Sequence, residues 1–221
     1  MARKTVVVAV TGHRLNQLPE AERPRIARDV GRCVEQIGLA AVEIFGADQK
    51  LALASGVAEG ADRYAADAAL TLGWALWTPL AFPIDRFEKD FSDQASIDAF
   101  HTYLKRAEKV WAMSPDQVAA AGDTPAAAYA AVARELAAIA QVVIAVWSGH
   151  PPAGPGGTAE VGAYALMAGA PVLWTPTQDN HAPRLIWPSP LPKKGSVKRR
   201  FCDALAERYE RIAKPEALRP A

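Results

Sequence analysis

The chain has 221 residues, half of them apolar and 22% charged, with a formal net charge of +1. That length holds one sizeable α/β domain or at most two small ones. The balance is that of a globular chain in water: no apolar run reaches the roughly 18 residues of a membrane span, and near-neutral charge argues against a nucleic-acid-binding domain.

In chain order, TVVVAVTG (5–12) is a short β-branched run ending at Gly, the pattern of a buried strand. The basic start before it lacks the longer apolar core and cleavage site of a signal peptide, so none is expected. Residues 20–45 carry a helical stripe of Ile26, Val30, Val34, Ile37 and Leu39, with Pro24 early, where a helix tolerates it. KLALASG (50–56) is a second strand, followed by an Ala-rich helix from about Glu59 to Leu72 that Gly73 stops. ALWTPLAF (75–82) is a third strand; Pro83 then opens the charged stretch PIDRFEKDF, and a helix through about Arg106 follows it. KVWAMS (109–114) is a fourth strand, SPDQVAAAGDTP a loop, 126–141 a helix and VVIAVW (142–147) a fifth strand. A Gly/Pro-rich loop, another helix and a sixth strand, PVLWTP (171–176), complete the alternation. Residues 176–195 read as Pro-rich and irregular, and 196–214 as a final helix in basic surroundings.

Alternating strands and helices with near-continuous apolar strands predict a Rossmann-like three-layer α/β/α fold on a mainly parallel sheet of about six strands. Residues 1–176 are expected to form one Rossmann-like domain, with 177–221, a Pro-rich segment and C-terminal helix, packing on the same domain. Trp77, Trp111, Trp147 and Trp174 fall in four strands, which suits core packing for most of them. Trp147 ends its strand just before a loop, where an indole can stack on a base.

Three strand-to-helix loops stand out: VTGHR (10–14), SGVAEGADR (55–63) and GPGGTAE (154–160). Post-strand loops of a parallel sheet gather on its carboxyl edge, where ligands bind. Glycine there permits close backbone approach, and a helix N-terminus offers free amides to an anion. Gly12, His13, Arg14, Ser55, Gly56, Glu59, Gly60, Asp62, Arg63 and Trp147 are therefore candidate ligand contacts. Glu59 and Asp62 also suit a helix dipole, and Arg63 with Asp67 a surface ion pair.

These segments, with LAFPIDRFEKDF (80–91) and IAVWSGHPPAGPGGTAEVGAYA (144–165), resemble the SLOG superfamily of Rossmann-like proteins over roughly residues 5 to 176. That superfamily includes the cytokinin-activating phosphoribohydrolases, the DprA DNA-processing proteins and sensor domains for nucleotide derivatives. GGTAE and EGADR carry the resemblance most specifically. In the phosphoribohydrolase branch a PGGxGTxxE loop binds phosphate and supplies an acid, and an Arg on the preceding helix completes the pair. The resemblance thus implies phosphate contact at Gly156, Gly157 and Thr158, and catalytic roles for Arg134 and Glu160. The chain departs from the pattern by lacking the residue between the GG and GT pairs, and its first loop reads TGHR.

Three functions follow in order of expectation: binding or sensing of a nucleotide or nucleotide-derived ligand, N-glycosidic hydrolysis of a nucleoside 5′-monophosphate, and DprA-like handling of single-stranded DNA. No cofactor is expected. Cys33 and Cys202 are far apart and read as reduced thiols of a cytosolic protein. The four histidines show no metal-ligand spacing. Relatives of this type often pair through the helices flanking the sheet, so a homodimer is expected.

Overall fold

In a computed structural model the described residues are 5–122, 124, 126–151, 156–178, 181–189 and 195–213. The strands Val6–Gly12 (β1), Leu51–Ala54 (β2), Ala75–Leu80 (β3), Lys109–Ala112 (β4), Val142–Trp147 (β5), Val172–Pro176 (β6) and Arg184–Ile186 (β7) form one sheet in the order β4-β3-β2-β1-β5-β6-β7. All neighbours are parallel except β6 and β7. The helices are Arg23–Phe45 (α1), Ala61–Thr71 (α2), Ile84–Phe87 (α3), Gln94–Arg106 (α4), Pro115–Ala121 (α5), Ala127–Ile139 (α6), Thr158–Met167 (α7) and Val197–Ala213 (α8).

The alternation of β1 divides the core between the two faces of the sheet. Val6, Val8 and Val10 pack with Ile26, Val30, Val34 and Ile37 of α1 and with the alanines of α2. Val7 and Ala9 pack with Ala133, Leu136 and Ala137 of α6 and Val161 and Ala165 of α7. This is the three-layer arrangement expected, with seven strands in place of six.

The seventh strand, β7, lies in the stretch read as irregular. Its prolines flank it without entering it, and an edge strand tolerates such neighbours. The segment read as a loop after β4 contains α5. Ser114 Oγ accepts the Gln117 amide at 3.2 Å, Gln117 Oε1 accepts the Ser114 amide at 2.9 Å, and Pro115 opens the first turn. This is a capping box, written in the sequence as S-x-x-Q. The helix expected to follow PIDRFEKDF is α4, which Asp93 caps by accepting the Ser96 amide, while the charged stretch itself forms α3 and a 3-10 turn over Glu88–Asp90.

Leu39 does not join the buried stripe of α1. It is 63% exposed, because two residues beyond Ile37 the helix has turned by about 200°. The four strand tryptophans are all only partly buried, whereas Trp74, just before β3, is 7% exposed. Trp77 instead rims the sheet, donating to Glu108 at 3.3 Å with the Lys109 ammonium over its ring. No helix of the described residues is long and apolar enough to cross a membrane.

Candidate functional site

Strands β2, β1 and β5 are adjacent and parallel, so their three glycine loops open on one edge. The helices following β1 and β5 go to opposite faces, which makes the gap between these strands the switch point where ligands enter such sheets. A cavity of about 140 Å³ lies at this edge, with Gly12, Gly56 and Gly156 all on its wall. Phe87 and Tyr129 contribute aromatic surface, Leu136 and Val161 aliphatic surface, and Arg14 and Asp62 its charges.

The β2 loop is bound tightly around Asp62. Its carboxylate accepts the Ala58 amide and the Ser55 hydroxyl. Ser55 Oγ in turn accepts the Val57 amide at 3.0 Å. Val57 takes a φ of 49°, the left-handed region, which costs a β-branched residue about 1–3 kcal/mol. Arg63 fixes it there, donating through Nε to the Val57 carbonyl at 3.1 Å and through Nη2 to the Ser96 carbonyl at 2.9 Å. The Arg63 guanidinium also lies over the Phe91 and Tyr103 rings, so it serves the frame around the cavity and not its wall. Glu59 accepts the Ser96 hydroxyl beside it. Desolvation pushes the Asp62 carboxyl up to about 6, against the hydrogen bonds of Ala58 and Ser55 and the nearby Arg14 charge.

Gly60 joins this loop to the first. Its φ is +93°, and a Cβ there would stand 2.7 Å from both the His13 carbonyl oxygen and the Leu15 nitrogen. Ala61 N donates to that His13 carbonyl at 3.3 Å. Arg14 reaches over the cavity and donates to the Asp90 carbonyl at 3.0 Å. Asp90 also receives the Tyr129 hydroxyl and, at 3.1 Å, Nη1 of Arg86. Burial and the Asp90 carboxylate push the Tyr129 phenol up to about 12. The segment from Ile84 to Asp90 is thereby tied as a roof to both the β1 loop and α6.

His13 turns toward β5. Its Nε2 accepts the Ser148 amide at 3.2 Å and lies 3.3 Å from the Ser148 hydroxyl, which is 3.0 Å from Nδ1 of His150. Burial, and then the neighbouring His150, lower the His13 pKa, in keeping with an acceptor nitrogen. Trp147 donates to the His150 carbonyl at 2.8 Å, and its ring packs on Trp174 at 5.2 Å between centroids. These groups adjoin the cavity without lining it.

At α7, the Gly156 amide donates to the Glu160 carboxylate, which also accepts the Tyr164 hydroxyl at 2.6 Å. A Cβ at Gly156 (φ +77°) would stand 2.6 Å from the Tyr129 carbonyl carbon, so loop and α6 meet here at backbone distance. Gly157 caps α7 and Thr158 begins it. Residues 152–155 of this loop lie outside the described residues. Arg134 donates to the Ala120 carbonyl at 2.6 Å and its guanidinium lies 5.7 Å from the Tyr164 ring centroid. The structure thus relates Arg134 and Glu160 through Tyr164, but neither lines the cavity. Among the described residues no group of three His, Cys, Asp or Glu side chains could hold a metal.

No protein-family model matches the chain, and no curated protein does. Among solved structures it is similar to DNA processing protein A (DprA) from Streptococcus pneumoniae, at 18% identity and a TM-score of 0.48, over 92% of this chain and 55% of that one. It is also similar to the molybdenum cofactor carrier protein of Chlamydomonas reinhardtii, at 16% identity and a TM-score of 0.42, over 77% of this chain and 76% of that one. The chain therefore spans 55% of the length of the DprA structure. Likeness at these values concerns the course of the chain alone.

Asp90, Tyr129, Val57, Ser148 and His150 were not among the candidates read from the sequence. The charged stretch after Pro83 and the SGH that follows β5 were visible there. What joins them to the loops is contact across 39 residues for Asp90 and Tyr129 and 135 for His13 and Ser148, which no local pattern carries.

Proposed function

We propose that this protein binds a nucleotide or nucleotide-derived ligand at the carboxyl edge of its sheet, in the manner of the SLOG-type sensor domains its loops resemble. The observation that carries this reading is the convergence of Gly12, Gly56 and Gly156 with Arg14 and Asp62 on one cavity at the switch point. A phosphate suits the Arg14 side and the first turn of α7, where the amides of Gly157 and Thr158 have no acceptor among the described residues. Nucleotide sites usually occupy about 300–1,000 Å³. The present cavity, about 140 Å³ and open to solvent, has the size of a phosphate or a sugar, and enclosing a whole nucleotide would require the roof to move.

Binding is favoured over N-glycosidic hydrolysis by the commitments of the two residues that hydrolysis would need. Arg134 is spent on a carbonyl of α5, and Glu160 on the Gly156 amide and Tyr164. DNA handling by the basic C-terminal helix is disfavoured in the same way. Lys198 pairs with Glu43, Arg199 with Asp203 and Arg211 with Glu207, while Arg200 lies over Trp187 and Arg208 is buried. A cytosolic setting suits the two free cysteines. A homodimer has the exposed Leu39 and Val42 of α1 in its favour, and sedimentation decides it.

The test is a thermal-shift screen of inorganic phosphate, nucleoside monophosphates and cyclic dinucleotides. A true ligand at 100 times its Kd stabilises the fold by about 2.7 kcal/mol. The reading fails if none of these shifts the melting temperature. Release of ribose 5-phosphate from a nucleoside monophosphate by the wild-type protein, abolished by Glu160→Gln, would replace it with the hydrolase.

A further inference from the structure

We infer that Asp62 is the hydroxyl acceptor of this crevice, so that the ligand is a ribosyl compound with free ring hydroxyls, taken in preference to its deoxy counterpart. This rests on the binding reading above and names the chemistry of its sugar end.

Among the described residues that line the cavity Asp62 is the sole carboxylate and Arg14 the sole cation. A carboxylate offers about four lone-pair positions. The Ala58 amide and the Ser55 hydroxyl take one each, which leaves acceptor capacity at the cavity wall. Gly56 stands beside that acceptor: a Cβ there would make ordinary contact with Oδ2 of Asp62, at 3.6 Å.

The surrounding loop is built to hold this one group. Ser55, Val57 and Arg63 form a chain of hydrogen bonds behind it, and the chain maintains Val57 in a conformation it would leave if released. Loops that only connect a strand to a helix seldom retain such strain.

The group placed against Asp62 must be a donor. A phosphate there would set negative charge against negative charge in a partly desolvated space, whereas sugar hydroxyls donate to the carboxylate in charge-assisted bonds. The volume agrees: about 140 Å³ is the scale of a sugar ring, and the rest of a nucleotide extends beyond this open cavity. The phosphate then lies toward Arg14 and the first turn of α7.

The experiment titrates the wild-type chain and Asp62→Asn with the four ribonucleoside 5′-monophosphates and their 2′- and 3′-deoxy counterparts, by calorimetry at pH 7.5. Loss of a hydroxyl that donates to a charged acceptor weakens binding by about tenfold to a hundredfold. Wild-type protein is therefore expected to bind the ribonucleotide at least about tenfold more tightly than one of its deoxy forms. In Asp62→Asn, which retains an oxygen for Ala58 and Ser55, the ratio should shrink to about twofold or less. A side chain that only clamped its loop would change all affinities together and leave the ratio alone. The inference is overturned if wild-type protein binds ribo and deoxy forms equally, a result that needs no variant to fold, or if Asp62→Asn keeps the preference. Equal binding would also favour a deoxynucleotide or single-stranded DNA ligand. Failure of every nucleotide and of phosphate to bind is a different outcome, which removes the binding reading and this inference with it.

Discussion

At Asp62 desolvation opposes hydrogen bonding, and desolvation prevails. The carboxyl moves from 3.8 to about 6 on folding. Between about pH 4 and pH 6 the folded chain therefore keeps a proton that the unfolded chain has released, so stability declines as pH rises through this window. Above pH 6 the full penalty, on the order of 2–3 kcal/mol, is present. Asp62→Asn should accordingly melt at a higher temperature than wild type at pH 7.5, and the difference should close near pH 4. Thermal melts at the two pH values check this, and a variant less stable than wild type at pH 7.5 would contradict the assignment. The glycine loops around Asp62 were legible in the sequence because glycine after an apolar run is local punctuation. The shielding of one carboxylate by Ser55, Ala58 and a strained Val57 was not, because it depends on how six consecutive residues curl back on the helix they precede.

Among the elements, long periodic segments were read correctly and short capped ones were not. β1, α1 and β5 are defined by their own apolar patterns. α5 has few apolar residues, and its existence rests on the reciprocal bonds of Ser114 and Gln117. Ser114→Ala should cost about 1 kcal/mol in urea unfolding. Because Arg134 holds the Ala120 carbonyl near the far end of the same helix, Ser114→Ala combined with Arg134→Ala should cost less than the sum if α5 melts as a unit, since a helix already melted has no second contact to lose. Strict additivity would show that α5 stays folded in each variant. β7 escaped for a related reason: a three-residue edge strand is specified by the partner already in place, β6.

For the molecule as a whole, the C-terminal basic helix was the part least readable from composition. Its charge suggested an external partner, yet Arg208 is 6% exposed and donates to the carbonyls of Ala137, Ala138 and Ala140. It thus closes the negative end of the α6 dipole, and burial lowers its pKa to about 10. Arg208→Met preserves length and apolar contact while leaving those carbonyls unmet, at about 1–3 kcal/mol. The expected signature is faster amide hydrogen exchange throughout α8 with little change in β1 and β5. Uniform destabilisation of the sheet would mean that α8 is integral to the central core and not docked upon it.

The roof over the cavity also sets a tempo. With Phe87 and Tyr129 in place and Asp90 holding Arg14, Arg86 and Tyr129, the cavity of about 140 Å³ is open to solvent on one side and smaller than the roughly 300–1,000 Å³ of most ligand sites. If the proposed nucleotide is to be enclosed entirely, those ties must part first, and that wait does not shorten when more ligand is supplied. In stopped-flow mixing the observed association rate should rise with nucleotide concentration only until it meets the opening rate, and then level off. On that reading departure passes through the same opening, and Asp90, which need never touch the ligand, sets how long each binding event lasts.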